Sequence, residues 1–297
     1  MARSSIAYLL VCHGSRDPRP AQAMERLTQF VRSQMDPFYP SGPDAQHQDC
    51  CLAPLPTQSP GLEPFQVRLP RLALGSLVGS ACLETSTLPL HQQIINFGQR
   101  AQAMGIDTLQ IVPLFLGRGT HVMEDIPAAL STAQLALPTL ALKLTPHLGS
   151  HPGLQTLLHR RLQTTSNQTW LLLAHGSRRR AGNAPIEALA KSLGGTVAYW
   201  SHAPNLETRI IQSMQSGVQQ LTVLPYFLFT GTTTDAIIRE TEALAERFPQ
   251  IRIHLLPPLG PTPDLAQLVV DLALNQVPPV PQPRVKPLQR IAFSQAV

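Results

Sequence analysis

The chain has 297 residues, a formal charge of +5 and 43% apolar residues, a length that suits two ordinary domains and a composition that can fill their cores. No apolar run reaches the roughly 18 residues of a membrane span, and the short apolar segment near the N-terminus ends in Cys-His-Gly-Ser-Arg rather than at a small-residue cleavage site, so the reading is a cytoplasmic protein without a membrane partner. Charged residues make up only 14% and form no basic stripe interleaved with aromatics, which argues against nucleic acid and for a small polyanionic ligand.

In chain order, Ile6–Cys12 is an apolar run of strand type, and Ala21–Met35 has helical spacing. From Asp36 to Pro70 the chain is Pro-rich and without periodicity, and it reads as a loosely packed or disordered insertion. His47, Cys50 and Cys51 inside it could hold a metal, but a passive loop is the plainer reading. A strand within Leu72–Cys82, a helix over His91–Met104, a strand over Leu109–Leu116, a helix over Met123–Ala133, a strand over Thr139–Leu144 and a helix over Gly153–Leu162 follow. The same alternation then recurs as Trp170–Ala174, Asn183–Leu193, Thr196–Trp200, Leu206–Ser216, Leu221–Phe229, Thr234–Phe248, Ile251–Leu256 and Pro263–Leu274. The Pro-rich remainder, 276–297, reads as a tail. Continuous Leu/Val/Ile strands separated by helices predict an α/β fold with parallel sheets covered on both faces, in which ligands bind beyond the carboxyl ends of the strands.

The halves are copies. LLVCHGSRDP answers LLLAHGSRRR, with His13 and His175 offset by 162 positions; IVPLFLGRG answers VLPYFLFTG at 112, and TPHLGSHPGL answers LPPLGPTPDL at 111. The fall of 50 in the offset locates the insertion in the first half. We therefore expect an N-terminal domain over 1–165, interrupted at about 36–70, and a duplicated domain over 166–275. The four cysteines, Cys12, Cys50, Cys51 and Cys82, make neither a C-x-x-C pair nor a disulfide framework, which suits a reducing compartment.

Three residues of the first half fall at the ends of consecutive strands: His13 after the first, Glu84 in SACLETS after the second, and His121 in PLFLGRGTHVMEDIP after the third. Taken singly, each is as well read as an ordinary loop residue. Together, two imidazoles and a carboxylate suit a borderline divalent metal such as Fe²⁺, Co²⁺ or Ni²⁺, and can also accept protons near neutral pH. Glu124 and Asp125 fit the dipole of a helix N-terminus. Ser15 lies in no G-x-S-x-G elbow. The second half keeps His175, has no carboxylate to match Glu84, and reads TGTTTD where the first reads GRGTHVMED, so only one full ligand set exists.

LLVCHGSRDP, ACLE and VPLFLGRGTHVMEDIPAAL resemble the motifs of sirohydrochlorin chelatases of the CbiX/SirB type, and LLLAHGSR with LPYFLFTGTTTDAI resembles the C-terminal repeat of their long, two-domain form. The resemblance implies two similar chelatase-like α/β domains around a cleft. It also implies a lyase, a cobaltochelatase or ferrochelatase with nickel as a further candidate, that inserts the metal into sirohydrochlorin on the routes to cobalamin or sirohaem. Neither ATP nor an organic cofactor is expected, the metal being a substrate. His13, Glu84 and His121 are implied as metal ligands and catalytic groups. Arg16, Arg118 and Arg178 are basic groups placed to meet the carboxylates of the tetrapyrrole, with Arg179 and Arg180 as weaker candidates. Phe115 and Leu116, or Phe227 and Phe229, are candidates for an apolar platform. A non-catalytic tetrapyrrole or metal carrier remains the alternative, a two-lobed metal-binding protein of periplasmic type is disfavoured by the N-terminus, and both monomer and homodimer are compatible with the sequence.

Overall fold

The computed structural model describes residues 6–35, 77–163, 169–177 and 182–275. The stretch 36–70 with His47, Cys50 and Cys51, the arginines Arg178, Arg179 and Arg180, and the tail 276–297 lie outside the described residues.

The first half runs β1 (Ile6–Cys12), α1 (Pro18–Met35), β2 (Val78–Cys82), α2 (Leu90–Ala103), β3 (Thr108–Pro113), α3 (Ile126–Ala136), β4 (Ala141–Leu144) and α4 (Gly153–Gln163). The second runs β5 (Trp170–Ala174), α5 (Ala184–Ser192), β6 (Thr196–Tyr199), α6 (Leu206–Gln215), β7 (Gln220–Pro225), α7 (Thr232–Arg247), β8 (Arg252–Leu255) and α8 (Pro263–Ala273). Each half makes a four-stranded parallel sheet, in the orders β2-β1-β3-β4 and β6-β5-β7-β8. Central strands β1, β3, β5 and β7 are buried on both faces, which is why their sequences are unbroken apolar runs rather than alternating ones.

Strands β3 and β7 stop at Pro113 and Pro225, short of the Leu116 and Phe229 expected from hydropathy. Proline has no N–H to give the ladder, and after one further bond to the central strand (Leu114 N–H to the Val11 carbonyl, Tyr226 N–H to that of Leu173) the chain leaves the sheet as a loop. One short turn is also wider than expected: His121–Asp125 forms a π turn that leads into α3.

The two sheets share a central core. Tyr8, Leu10, Leu27 and Val112 of the first half and Leu172, Leu224, Leu265 and Val269 of the second are buried together there. Outer cores lie between the first sheet and α2–α3 (Leu9, Ile94, Ile111, Ile126) and between the second sheet and α6–α7 (Leu171, Ile210, Val223, Ile237). The central layer contains an exchange of helices. α8 packs against α1 and β3 of the first half, and Gln110 of β3 bonds to Asn275 just beyond it. α4 reaches the other way, where Arg161 donates to the carbonyl of Pro257 after β8 and Leu154 and Gln155 face α5. Truncating a buried leucine of this layer, such as Leu158 or Leu265, should cost about 2–5 kcal/mol. That is a large share of the ~5–15 kcal/mol of a domain.

A polar tie joins the halves at the strand ends. Asp17 accepts the backbone N–H of Arg19 in the first turn of α1 and also that of Thr232 at the start of α7. Arg19 spans the carboxylates of Asp17 and Asp235. The Arg19 guanidinium accordingly holds both carboxyls below their ordinary range.

Candidate metal centre

The carboxyl ends of β1, β2 and β3 face the same edge, and the strand order reverses between β1 and β3, the switch point at which open parallel α/β sheets form a crevice. His13 is the first residue after β1. It leaves the sheet through Gly14 at φ 93°, a conformation that L side chains rarely adopt, and a Cβ there would lie 2.1 Å from the carbonyl oxygen of Glu84. That close approach lets the N–H of Glu84 bond to the carbonyl of His13, so the two loops are held side by side. Thr85, at φ 62°, is a non-glycine residue in the left-handed region directly after Glu84, and its hydroxyl donates to the Glu84 carbonyl. β2 is an edge strand, and its last residue is completed by a side chain: Gln93 of α2 accepts from the N–H of Cys82 and donates to its carbonyl.

One ligand atom from each of His13, Glu84 and His121 lies within 4.8 Å of the others. The imidazoles meet edge-on with ring centres 4.8 Å apart, and Phe115 sits against both, 6.4 Å from His13 and 6.0 Å from His121. His121 Nδ1 is 2.7 Å from Asp125 Oδ2. A carboxylate only accepts, so Nδ1 carries the proton, and in the neutral ring this leaves the lone pair on Nε2. His13 Nδ1 similarly lies 3.2 Å from the carbonyl of Gly14, and 3.8 Å from Glu84 Oε2. Metal–nitrogen and metal–oxygen bonds of about 2.0–2.2 Å hold donors no more than about 4.4 Å apart. Closure on an ion therefore needs only small side-chain rotations. The exposure of His13 (54%), Glu84 (53%) and His121 (32%) leaves room for such rotations and for a ligand to approach.

Asp125 has a more specific place than the helix dipole assigned to it from sequence, for it orients one imidazole in the way carboxylates orient metal-bound histidines. The H-x-x-x-D spacing was the available signal, since residues four apart share a helix face. Cys12 and Cys82, register partners at the ends of β1 and β2, bring their sulfurs to 3.4 Å, a pairing the sequence does not reveal. Their mutual hydrogen bond, and then burial, push the Cys12 thiol up, whereas the same bond lowers that of Cys82 to about 7 against the opposing effect of burial.

Arg16 is exposed on the loop after His13. Arg118 is exposed on the loop after β3, where its Nε donates to Met123 Sδ. Burial, and then the charge of Arg118, hold His147 below the ordinary imidazole range. Of the apolar candidates, Phe115 alone contacts the imidazoles, whereas Leu116 and Phe229 pack on the central core and Phe227 on the outer core of the second half. In that half, the N–H of Ser201 bonds to the carbonyl of His175, as Glu84 does to His13. Ser201 therefore stands where Glu84 does. The next residue, His202, stacks on Tyr199 and is tied to Asn183 and Ser201. His13, Glu84 and His121 are the one cluster of metal-ligand type among the described residues.

The CbiX family model matches residues 71–165 and 169–275. The chain is 24% identical over 254 residues to a sirohydrochlorin ferrochelatase of Priestia megaterium, spanning 80% of this chain and 79% of that one. Its fold resembles SirB of Bacillus subtilis with Fe³⁺ (TM-score 0.67, 16% identity, 92% of this chain and 96% of that one). It also resembles the sirohydrochlorin chelatase SirB of Bacillus subtilis subspecies spizizenii in complex with cobalt (TM-score 0.62, 17% identity, 92% and 95%). With two matched stretches covering more than half of its length, the chain belongs to the CbiX family, in the long form with two repeats. Glu84 and His121 fall within the first matched stretch. His13 precedes it, beyond the insertion, yet β1 is a central strand of the same sheet.

Proposed function

We propose that this CbiX-family chain is an ATP-independent chelatase that inserts a divalent metal, cobalt or iron with nickel as a further candidate, into sirohydrochlorin. The observation that carries the reading is the convergence of His13, Glu84 and His121 on one accessible strand edge. Insertion exchanges two pyrrole N–H protons for one M²⁺. The site must therefore hold the ion with few ligands, offer open coordination positions to the macrocycle, and take up protons as the nitrogens bind. His13 and His121 would present neutral Nε2 atoms to the ion, borderline donors suited to Fe²⁺, Co²⁺ or Ni²⁺. Glu84, beside His13, supplies a negative charge and a proton acceptor at the face where the ring must lose its protons. Phe115 gives the imidazoles an apolar backing. Arg16 and Arg118, and Arg178 three positions after His175 in the sequence, would supply the positive charge that pairs with the substrate's peripheral carboxylates. No nucleotide or organic cofactor enters this reading, and the product would feed the formation of cobalamin or sirohaem.

The test is anaerobic incubation of the full chain with sirohydrochlorin and Fe²⁺, Co²⁺ or Ni²⁺ in turn, followed by absorbance. Metallated product in molar excess over protein is expected. A product yield that stops at one equivalent, with the tetrapyrrole retained on the protein, would identify a carrier instead.

A further inference from the structure

Directly behind the ligand loops lies a feature that metal insertion does not use. Cys12 and Cys82 are the last residues of adjacent parallel strands and are register partners. Both are half-buried and free, and their sulfurs are 3.4 Å apart. Neighbouring strands run about 4.8 Å apart, inside the Cα separation of about 4.4–6.8 Å that a disulfide accepts. Bond formation would bring the sulfurs together by about 1.4 Å, a distance that side-chain rotation covers without displacing a strand. The equivalent pair in the second half is Ala174 and Tyr199, so the thiols occur only where the ligands do.

We propose that Cys12 and Cys82 are a redox-modification site, closing to an intrachain disulfide under a hydroperoxide or a small-molecule disulfide and thereby restraining the loops of His13 and Glu84. With hydrogen peroxide, one thiol sulfur attacks a peroxide oxygen, the O–O bond breaks, and a sulfenic acid and water form. The second thiol then displaces hydroxide from that sulfur, the S–S bond forms, and a second water leaves with the released proton. Two thiols are oxidised by two electrons and the peroxide is reduced to two waters. A small-molecule disulfide gives the same bond by two exchanges, releasing two thiols, and a dithiol reductant reverses either route.

The restraint follows from continuity. His13 is bonded to Cys12, Glu84 is two residues from Cys82, and the Leu83 N–H already bonds to the Cys12 carbonyl. A covalent tie at this point removes the relative freedom of two loops whose donors must draw together around an ion. Only this consequence rests on the proposed metal reading; the disulfide itself does not.

The experiment uses the full chain carrying Cys50→Ser and Cys51→Ser, so that the remaining thiols are Cys12 and Cys82. After treatment with hydrogen peroxide or oxidised glutathione, the intact mass should fall by two hydrogens. Non-reducing proteolysis should yield one peptide joining the segments around Cys12 and Cys82, lost on adding dithiothreitol. A further Cys12→Ser substitution should leave a sulfenic acid or a glutathione adduct at Cys82. Formation of those adducts at both cysteines without a cross-link would overturn the proposal. Binding of Co²⁺, read from its visible absorption, should be about tenfold weaker in the oxidised protein and recover on reduction. Equal affinity in the two forms would leave a cross-link without a switch and overturn that half. Failure of metal insertion with every ion would count against the chelatase reading while leaving the mass measurement to decide the disulfide.

Discussion

The loops after β1 and β5 begin alike, His13-Gly14-Ser15 and His175-Gly176-Ser177, and both leave the sheet through a glycine of positive φ, 93° and 89°. Beyond that point they part. In the first half, Gly14 packs against the backbone of Glu84, a carboxylate stands beside His13, and a π turn brings in His121 and Asp125. In the second, Gly176 packs against the ring of His202, Ser201 takes the carboxylate's place, and α7 starts on Thr232-Thr233-Thr234 with its end tied to Asp17 and Arg19 of the other half. The backbone of the duplicated unit has been retained, whereas the donor set has not. A histidine at a sheet edge can join a metal-ligand set only where neighbouring loops supply partners, as those of Glu84 and His121 do at the first edge. The second edge has instead been turned to holding the halves together.

The largest effect should come from breaking the complete edge. His13→Ala and His121→Ala are each expected to lower metal insertion by more than about 100-fold, beyond the 10–100-fold typical of groups that merely support a ligand. His175→Ala should keep most of the rate. Initial rates under anaerobic conditions decide it, and equal losses in all three would mean two working sites.

The glycines offer a paired test of the same contrast. Alanine at either position meets a positive φ, worth about 1–2 kcal/mol. At Gly14 the clash is with backbone, 2.1 Å away, while at Gly176 it is with the His202 side chain, which can move. Denaturant unfolding should therefore show Gly14→Ala to be the more destabilising by about 1 kcal/mol or more. It should also weaken Co²⁺ binding, whereas Gly176→Ala should not.

Asp125 has a smaller, graded role. Asp125→Asn keeps a hydrogen-bonding group but removes the charge that favours the Nδ1–H form of His121, and a roughly tenfold loss of metal affinity is expected. Unchanged Co²⁺ affinity and an unchanged Co²⁺ spectrum would return Asp125 to a purely helical role.

The smallest effect concerns pH. His151 Nδ1 accepts the N–H of Gly153 at the start of α4, and Thr262 does the same for Leu265 at the start of α8, so one half uses a titratable cap and the other a neutral one. Burial holds the His151 imidazole below its ordinary range, with Asp271 of α8 pulling weakly the other way. A base with a depressed pKa binds its proton more readily in the unfolded chain. Its contribution to stability is thus full above about pH 6.5 and lost on acidification below that. His151→Gln should flatten the fall in melting temperature between about pH 6.5 and 5, and an unaltered slope would show that other groups govern it.

The strands, the repeat and the three converging residues were legible in the sequence because each rests on local chemistry. An unbroken apolar run can be buried on both faces only in a covered parallel sheet, and the residue following such a run must emerge at the sheet edge. The ends of β3 and β7 were overestimated because hydropathy does not register the missing N–H of Pro113 and Pro225. Asp125 was legible in spacing, but its partner depended on a π turn that no propensity marks. What only the tertiary structure decided are the long-range pairings. The register that sets Cys12 opposite Cys82, the exchange of α4 and α8 across the central core, and the tie from Asp17 and Arg19 to α7 are of this kind. They join residues far apart in the chain, so their energies depend on how whole layers pack, and no stretch of sequence carries them alone.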